Sequence, residues 1–103
     1  MAEKQWLLPV WSDTRIRHYH RTDEGIVAEF SLQLEVRLEA QWRVVIRYDT
    51  AHGFAHVDRY NVEDVQRKER LELPFDDALT RAERDLKRNW RVYRERFLRG
   101  GYP

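Results

Sequence analysis

The sequence contains no cysteine, which excludes disulfide bonds, thiolate catalysis and cysteine-ligated zinc. No apolar run approaches the roughly 18–20 residues that a membrane helix needs. The apolar N-terminal patch is too short for a secretory signal peptide, and no small-residue cleavage site follows it. We therefore expect a cytoplasmic protein that makes no contact with a membrane.

Familiar nucleotide and hydrolase motifs are also missing, since there is no P-loop, no G-x-G-x-x-G and no Ser–His–Asp arrangement. The 103 residues have the length of one domain, and 19 basic against 18 acidic side chains leave a net charge of +1. This charge is uneven, because residues 1–74 carry 11 Lys and Arg against 13 Asp and Glu, whereas residues 75–103 carry 8 against 5. A positive partner surface is therefore expected only in the C-terminal quarter.

The first three quarters of the chain alternate apolar and polar residues with period two. Such alternation is typical of antiparallel strands with one buried and one wet face. It predicts strands near residues 14–21, 26–38, 42–48 and 54–60, with a further short one at 69–73. The two tryptophans Trp6 and Trp11 predict that residues 1–13 dock on the body of the protein or supply a dimer contact.

The C-terminal part predicts one long helix over residues 74–99. Pro74 suits the first helical position, and Gly100 with Gly101 suits the end. An apolar stripe at steps of three and four runs along it, formed by Phe75, Leu79, Ala82, Leu86, Trp90, Tyr93 and Phe97. The predicted fold is α+β: an antiparallel sheet of four or five strands (residues 14–73) with this helix across its apolar face.

Side-chain parity predicts the strand register, because a slip of one residue turns a strand inside out. A three-residue loop at 39–41 places Val36 opposite Val44 and Leu34 opposite Ile46; a two-residue loop is rejected because it breaks this match. For the next hairpin, an even loop at 50–53 pairs Arg47 with His56. The outer face then carries the rows Gln33–Arg47–His56 and Glu35–Val45–Asp58, with Asp49 at the rim and Arg43 and Tyr60 beyond. An odd loop would instead send His56 and Asp58 to the core side.

The second hairpin carries four groups that move protons or bind cations, within ten residues: Asp49, His52, His56 and Asp58. We interpret His56 as an acid or base, Asp58 or Asp49 as its orienting carboxylate, and Arg47 as a clamp for an anion. The alternative is a structural turn capped by Asp49 with an ordinary exposed His–Asp pair. Neither Glu nor Cys supplements the group at metal-ligand spacing, so we predict no metal and no cofactor.

Further candidate residues lie around this hairpin and on the helix. Arg43, His52 and Tyr60 are predicted to contact a substrate. A basic stripe on the helix is predicted to contact nucleic acid, although a solvated helix face is the alternative; it comprises Arg81, Arg84, Arg88 and Arg91. His18-Tyr19-His20 with Glu24 spells H-x-H-x-x-x-E, the start of a cupin metal motif, but no second half follows, so two partly buried strand histidines are expected.

The segment R-Y-D-T-A-H-G-F-A-H-V-D, from Arg47 to Asp58, resembles the hairpin of the TumE-like toxin–antitoxin proteins and of small uncharacterised bacterial and archaeal families related to them. The local match covers Arg47, Tyr48, Asp49, Gly53 and His56, and with the sheet and helix it spans residues 26–98. Asp58 stands where that family often has a second histidine. The resemblance implies a small toxin-like protein that a partner antitoxin neutralises and that acts on RNA or nucleotides.

Two hypotheses of function therefore remain open. The first is a toxin-like enzyme that acts on RNA or nucleotides through His56, its carboxylates and Arg47. The second is a non-catalytic protein-interaction module that forms a homodimer through Trp6 and Trp11.

Overall fold

The computed structural model describes residues 1–103 and contains a single sheet with one helix packed on it. The predicted α+β fold with an antiparallel sheet and one C-terminal helix is confirmed, but the sheet has six strands rather than four or five. The strands run in chain order as an antiparallel meander: β1 (Ala2–Trp11), β2 (Thr14–Asp23), β3 (Ile26–Leu38), β4 (Gln41–Asp49), β5 (His56–Tyr60) and β6 (Gln66–Arg70).

The additional strand is the N-terminal segment. It forms β1 and pairs along nearly its whole length with β2, from Ala2 opposite Thr22 to Trp11 opposite Thr14. The sheet therefore begins at residue 2 and not at residue 14. The short strand expected near residues 69–73 is β6, which begins three residues earlier and forms the other edge.

The turn between β3 and β4 differs from the predicted three-residue loop. It has two residues, Glu39 and Ala40, and both adopt positive φ (52° and 64°). Two consecutive residues with positive φ form the turn whose twist matches paired antiparallel strands. Glycine or asparagine usually fills such positions, so the sequence Glu-Ala gave no signal for it.

A β-bulge at Val45 then restores the register that the shorter turn shifts. Glu35 pairs with Val44, whereas Leu34 pairs with Ile46, so one residue of β4 has no partner in β3. The predicted Leu34–Ile46 pair is confirmed, but Val36 lies opposite Arg43 rather than Val44. A bulge adds one residue and so reverses the facing of the residues before it.

The helix α1 spans Phe75–Leu98, one residue inside each predicted end. Pro74 is its N-cap residue, and Asp76 and Asp77 lie in its first turn, where the positive end of the helix dipole favours carboxylates. After Leu98 the chain leaves the helix, and Gly100 adopts φ 87°, a conformation that L side chains rarely take. No helix is both long and apolar enough to cross a membrane.

The core lies between α1 and the face of the sheet that carries the even-numbered residues of β2 and β3. The helix packs chiefly on β3 and β4. The fully buried core side chains come from both layers and include Leu32, Leu34, Val36, Ile46, Val57, Leu86 and Phe97. This arrangement covers one face of the sheet and leaves the other for polar side chains.

Two polar contacts hold the helix in its position on the sheet. The Arg94 guanidinium donates from Nη2 to Asp13 Oδ2 at 2.6 Å, which ties the last turns of α1 to the β1–β2 turn, and this hydrogen bond is the main cause that lowers the pKa of Asp13. Between α1 and the sheet, Asp85 accepts hydrogen bonds from the hydroxyls of Tyr48 (2.5 Å) and Tyr93 (2.6 Å). The carboxylate of Asp85 thereby fixes the rotation of α1 relative to β4.

Candidate functional site

The candidate site lies where β4 ends and β5 begins. Six loop residues (50–55) connect the two strands, and Asp49 pairs with His56 while Arg47 pairs with Asp58. The predicted even loop is confirmed in its parity, but the loop is two residues longer than predicted. The predicted partners of Arg47 and Asp49 were therefore wrong by two residues: Arg47 lies opposite Asp58 rather than His56, and Asp49 lies opposite His56 rather than Phe54.

The side chains of the second hairpin nevertheless lie on the face of the sheet that their parity predicted. Tyr48 points towards α1, since its hydroxyl reaches Asp85, so its neighbours Arg47 and Asp49 point away from the helix. His56 and Asp58 share that face because they lie directly opposite Asp49 and Arg47. The second hairpin thus brings an imidazole, two carboxylates and a guanidinium to one face.

The burial of this group differs from the expected exposed pair. His56 is 1% exposed and Asp58 is 4% exposed, although both lie on the face without a helix. The Phe54 ring lies beside His56, with centroids 5.6 Å apart, and the Arg70 guanidinium lies 4.5 Å from the Phe54 centroid. Lys68 Nζ lies 3.9 Å from Asp58 Oδ1. Asp49, with 15% of its side chain exposed, and the partly exposed Arg47 are the members of the group that reach solvent.

Three residues, Asp49, His56 and Asp58, which we call the hairpin cluster, form the centre of the site. His56 Nε2 lies 2.8 Å from Asp49 Oδ1 and 3.5 Å from Asp58 Oδ2. Its other ring nitrogen, Nδ1, faces the Phe54 carbonyl oxygen at 3.3 Å. Asp49 Oδ1 also accepts the backbone N–H of Ala51 at 3.0 Å, which holds the carboxylate in place.

One oxygen of the hairpin cluster is left without a hydrogen bond. Asp58 Oδ1 is buried and has no donor within hydrogen-bonding distance; the nearest cation is Lys68 Nζ at 3.9 Å. One ligand atom from each cluster member lies within 4.8 Å of the others, a spacing that can hold a metal ion. A buried carboxylate oxygen without a partner is costly, and metal coordination is one of the ways to compensate it.

The same face carries a second network that continues from the cluster towards β2. Arg47 Nε donates to Gln33 Oε1 at 2.8 Å, and the amide of Gln33 donates to Glu35. Arg15 and Arg17 also hold Glu35, at 2.6 and 3.0 Å. Burial alone would raise the pKa of Glu35, but the hydrogen bonds from Arg17, Arg15 and Gln33 outweigh it and keep this pKa below its ordinary value.

Of the predicted rows on this face, the pair of Gln33 with Arg47 is confirmed. Arg47 lies opposite Asp58 rather than His56, and Val45, expected opposite Glu35, is the bulge residue without a partner in β3. Sequence reasoning assigned no role to Glu35 or to the arginines of β2. The signal was available in the alternation, because Glu35 and Gln33 both occupy the polar parity of β3.

The comparison with known protein families gives one result. A family model described as a domain of unknown function, DUF7718, matches residues 1–102. The chain belongs to the DUF7718 family. Searches of curated proteins and of solved structures gave no match.

The match to the DUF7718 model runs from β1 to the residues after α1, so both edge strands belong to the domain. The resemblance to TumE-like proteins covers less of the chain, residues 26–98, and stays a prediction. The hairpin cluster lies inside both ranges.

The three predicted substrate contacts are separated in this DUF7718 domain. Arg43 was expected on the face of Arg47, but the bulge at Val45 turns it to the helix side, where its guanidinium carbon lies 5.8 Å from the Phe97 ring centroid. It also donates to the Val62 carbonyl oxygen at 2.5 Å and is no neighbour of the hairpin cluster.

Tyr60 and His52 do lie near the hairpin cluster of the DUF7718 domain. Tyr60 is half-buried on the same face, and burial raises the pKa of its phenol. His52 is exposed in the turn with φ 72°, and its ring centroid lies 5.9 Å from that of His56. Of the three, only these two border the cluster.

The basic stripe of α1 lies on the other side of the molecule. Arg81, Arg84 and Arg88 line an open groove of about 530 Å³, which we call the arginine groove, together with Leu73 and four further helix residues. Arg91 lies outside this groove and borders one formed with Trp11 and Trp90. Because α1 and the hairpin cluster occupy opposite faces of the sheet, the stripe and the cluster cannot contact the same phosphate.

Both histidines of β2 lie on the helix side, where His20 is partly buried as expected and His18 is buried more deeply, with 4% exposure. His18 stacks on Trp6 with ring centroids 3.8 Å apart, and its Nε2 lies 2.7 Å from Nδ1 of His20. Burial, and then the charges of His20 and Lys87, lower the pKa of His18 to about 4. A neutral, stacked His18 has a structural role in joining β1 to the core.

Proposed function

We propose that the protein acts on a phosphate-bearing substrate, RNA or a nucleotide, at the hairpin cluster, and that a partner antitoxin neutralises it. One observation carries the proposal: an imidazole and two carboxylates meet at the end of a hairpin whose neighbouring strands carry cationic side chains. Lys68 and Arg47 are such neighbours of Asp58 on this face. Cations beside a proton-transfer group suit a reaction in which negative charge develops on phosphate.

Asp49 is the cluster member that suits contact with the substrate. Its Oδ1 lies 2.8 Å from His56 Nε2 and accepts the N–H of Ala51, which leaves Oδ2 without these contacts, and 15% of the side chain is exposed. His56 is buried and both of its ring nitrogens face oxygen atoms. We therefore assign proton acceptance to Asp49, and to His56 the positioning of that carboxylate.

Arg47 supplies the anion contact. Its Nε is engaged by Gln33, which orients the guanidinium plane, and the terminal nitrogens remain for a substrate oxygen. A guanidinium fixed at one nitrogen loses little entropy on binding phosphate with the others. Tyr60, on the same face, offers a hydroxyl that stays protonated because burial raises its pKa.

Asp49→Asn is expected to abolish growth arrest when the protein is expressed alone in a bacterial host, and to lower turnover of labelled RNA by at least about 100-fold. The amide keeps the shape of the carboxylate but cannot accept a proton. Asp64→Asn is the matched control, because Asp64 is exposed and belongs to a different loop. A wild-type protein that neither arrests growth nor turns over RNA or nucleotides contradicts the proposal, as does full activity of Asp49→Asn.

A second candidate function, homodimer formation, is favoured by the edge strand β1. Its ten residues are largely exposed, among them Trp6, Leu7, Leu8 and Trp11. An exposed apolar edge strand is a template for another strand. The opposite edge, β6, is exposed along its length and reads Gln-Arg-Lys-Glu-Arg, and these charged side chains disfavour strand addition there.

A second copy of the chain suits β1 better than another partner. An antiparallel pair of β1 strands centred on Leu7 brings Trp6 of each copy opposite Leu8 of the other. Such a contact uses the same strand of both copies, so it closes as a two-fold dimer and leaves both charged β6 edges outside.

Leu7→Lys is expected to convert a dimer to a monomer, with at least a tenfold weaker association, because two lysines would meet at the centre of the contact. Leu7 is 44% exposed in the single chain, so the substitution leaves the core intact. Sedimentation velocity over a concentration series measures the mass. Gln66→Lys on β6 is the control that stays dimeric. A monomeric wild-type protein at all concentrations excludes this dimer.

A further inference from the structure

We propose that Asp49, His56 and Asp58 bind one divalent metal ion through Asp49 and Asp58 carboxylate oxygens and His56 Nε2. The inference deepens the proposed function and rests on it for any role of the ion in a reaction. Binding of the ion itself is independent of a substrate and is measured without one.

The donor atoms have the separations of neighbouring ligands around one ion. Two ligands at about 2.1 Å from an ion and at right angles to each other are about 3 Å apart. His56 Nε2 lies 2.8 Å from one Asp49 oxygen and 3.5 Å from one Asp58 oxygen, on either side of that value. The three residues therefore form one side of a coordination shell with only small adjustments.

The ring nitrogens of His56 are placed so that Nε2 can bind a cation while Nδ1 donates to a backbone carbonyl. A neutral imidazole has one N–H, yet Nδ1 faces the Phe54 carbonyl and Nε2 faces a carboxylate. If Nδ1 donates to Phe54, the lone pair of Nε2 points at a negatively charged oxygen unless a positive charge lies between them. Metal-binding histidines commonly donate their other ring N–H to a backbone carbonyl in this way.

Asp58 supplies the second, independent observation. Its side chain is 6% exposed and its Oδ1 has no hydrogen-bond partner. Lys68 Nζ, 3.9 Å away, is 43% exposed and can turn into solvent when an ion neutralises the carboxylate. A buried carboxylate with an unpaired oxygen, beside a second carboxylate, leaves uncompensated negative charge that an ion can balance.

The donor set indicates the class of ion. Two carboxylates and one imidazole combine donors that Mg²⁺ and Mn²⁺ prefer with a donor that suits Zn²⁺ and Fe²⁺. Asp49 is the ligand nearest to solvent, so waters or a substrate phosphate would complete the shell on its side. Mn²⁺ is the suitable probe because it accepts both donor types and is paramagnetic.

A protonated His56 is the alternative cation, since an imidazolium donates to Phe54 and to the carboxylates without any ion. The two states predict opposite results on adding metal. An imidazolium already satisfies the cluster, so it gives no saturable binding; the proposed site gives one ion per chain.

The test uses the full chain, stripped with a chelator, and titrated with Mn²⁺ by calorimetry and electron paramagnetic resonance at neutral pH. We expect saturable binding of one ion per chain and a rise in melting temperature with Mn²⁺ concentration. Asp58→Asn is expected to weaken binding by more than about 10-fold. Asp77→Asn, in the exposed acidic first turn of α1, is the matched control and is expected to bind as the wild type does.

A measurement on the wild-type protein covers the case in which Asp58→Asn does not fold. Bound Mn²⁺ broadens the amide signals nearest to it, and these must be the signals of residues 49, 56 and 58. The absence of saturable binding, unchanged affinity in folded Asp58→Asn, or broadening centred on residues 76–77 overturns the inference. Binding without RNA turnover contradicts only the proposed function, and turnover that persists in chelator contradicts only a role of the ion in the reaction.

Discussion

Leu86→Ala is expected to lower the free energy of unfolding by about 3 kcal/mol, the typical cost of removing a fully buried leucine side chain. Leu86 has no solvent exposure and lies at the middle of the apolar stripe that α1 presents to the sheet. For a domain of this size, a loss of about 3 kcal/mol corresponds to a melting temperature lower by about 15 °C. Urea unfolding followed by tryptophan fluorescence measures the change.

Val92→Ala is the matched control for this prediction. It removes two methyl groups from the same helix, but Val92 is exposed, so its free energy of unfolding is expected to change by less than about 0.5 kcal/mol. Equal effects of the two substitutions would contradict the packing of the predicted stripe on the sheet.

Above pH 10, the free energy of unfolding is expected to fall by about 1.4 kcal/mol for each pH unit because of Tyr48 alone. Burial, and then the hydrogen bond to the Asp85 carboxylate, raise the pKa of Tyr48 far above its ordinary value of 10.0. Below pH 10 the phenol is protonated in both states. Above pH 10 the unfolded chain loses this proton and the folded chain keeps it, so the stability contribution is lost as the pH rises.

Tyr93 acts in the same direction, since burial and its hydrogen bond to Asp85 also raise its pKa. Urea unfolding at pH values from 8 to 11.5 measures the slope. Tyr48→Phe is expected to reduce the slope by about 1.4 kcal/mol per pH unit, although it also costs about 1 kcal/mol at pH 8 through the lost hydrogen bond.

Tyr102→Phe is the control for the alkaline slope. Tyr102 lies after the helix, against Arg67, and takes no part in the Asp85 network. Its substitution is expected to leave the slope of the wild type in place. If Tyr48→Phe shows the wild-type slope as well, the pH dependence has another origin.

The sequence determined the parts of the fold that repeat with a regular period. The alternation in β2 and β3 predicted which residues face the core, and the stripe from Phe75 to Phe97 predicted α1 to within one residue at each end. These patterns can be recognised in the sequence because burial of one face requires an apolar residue at every second position of a strand and at every third or fourth position of a helix. Parity was also sufficient to predict that His56, Asp58 and Arg47 share a face.

Single irregular residues were decided only by the tertiary structure. The turn at Glu39 and Ala40 and the bulge at Val45 follow no sequence period, yet together they move Arg43 to the helix side. β1 was not predicted as a strand because its residues are mostly exposed, and strand pairing depends on backbone hydrogen bonds that side-chain patterns do not encode.

For the hairpin cluster, the sequence alone determined the residue types, their order and their face. Only the tertiary structure decided that His56 and Asp58 are buried, because β5 lies between β4 and β6, with Phe54 beside His56 and Lys68 beside Asp58. That burial leaves Asp58 Oδ1 without a partner and turns an expected exposed pair into a site where charge must be balanced. Period-two alternation predicts on which face of the sheet a side chain lies. How deeply the side chain is buried depends on contacts with residues that are distant in the sequence.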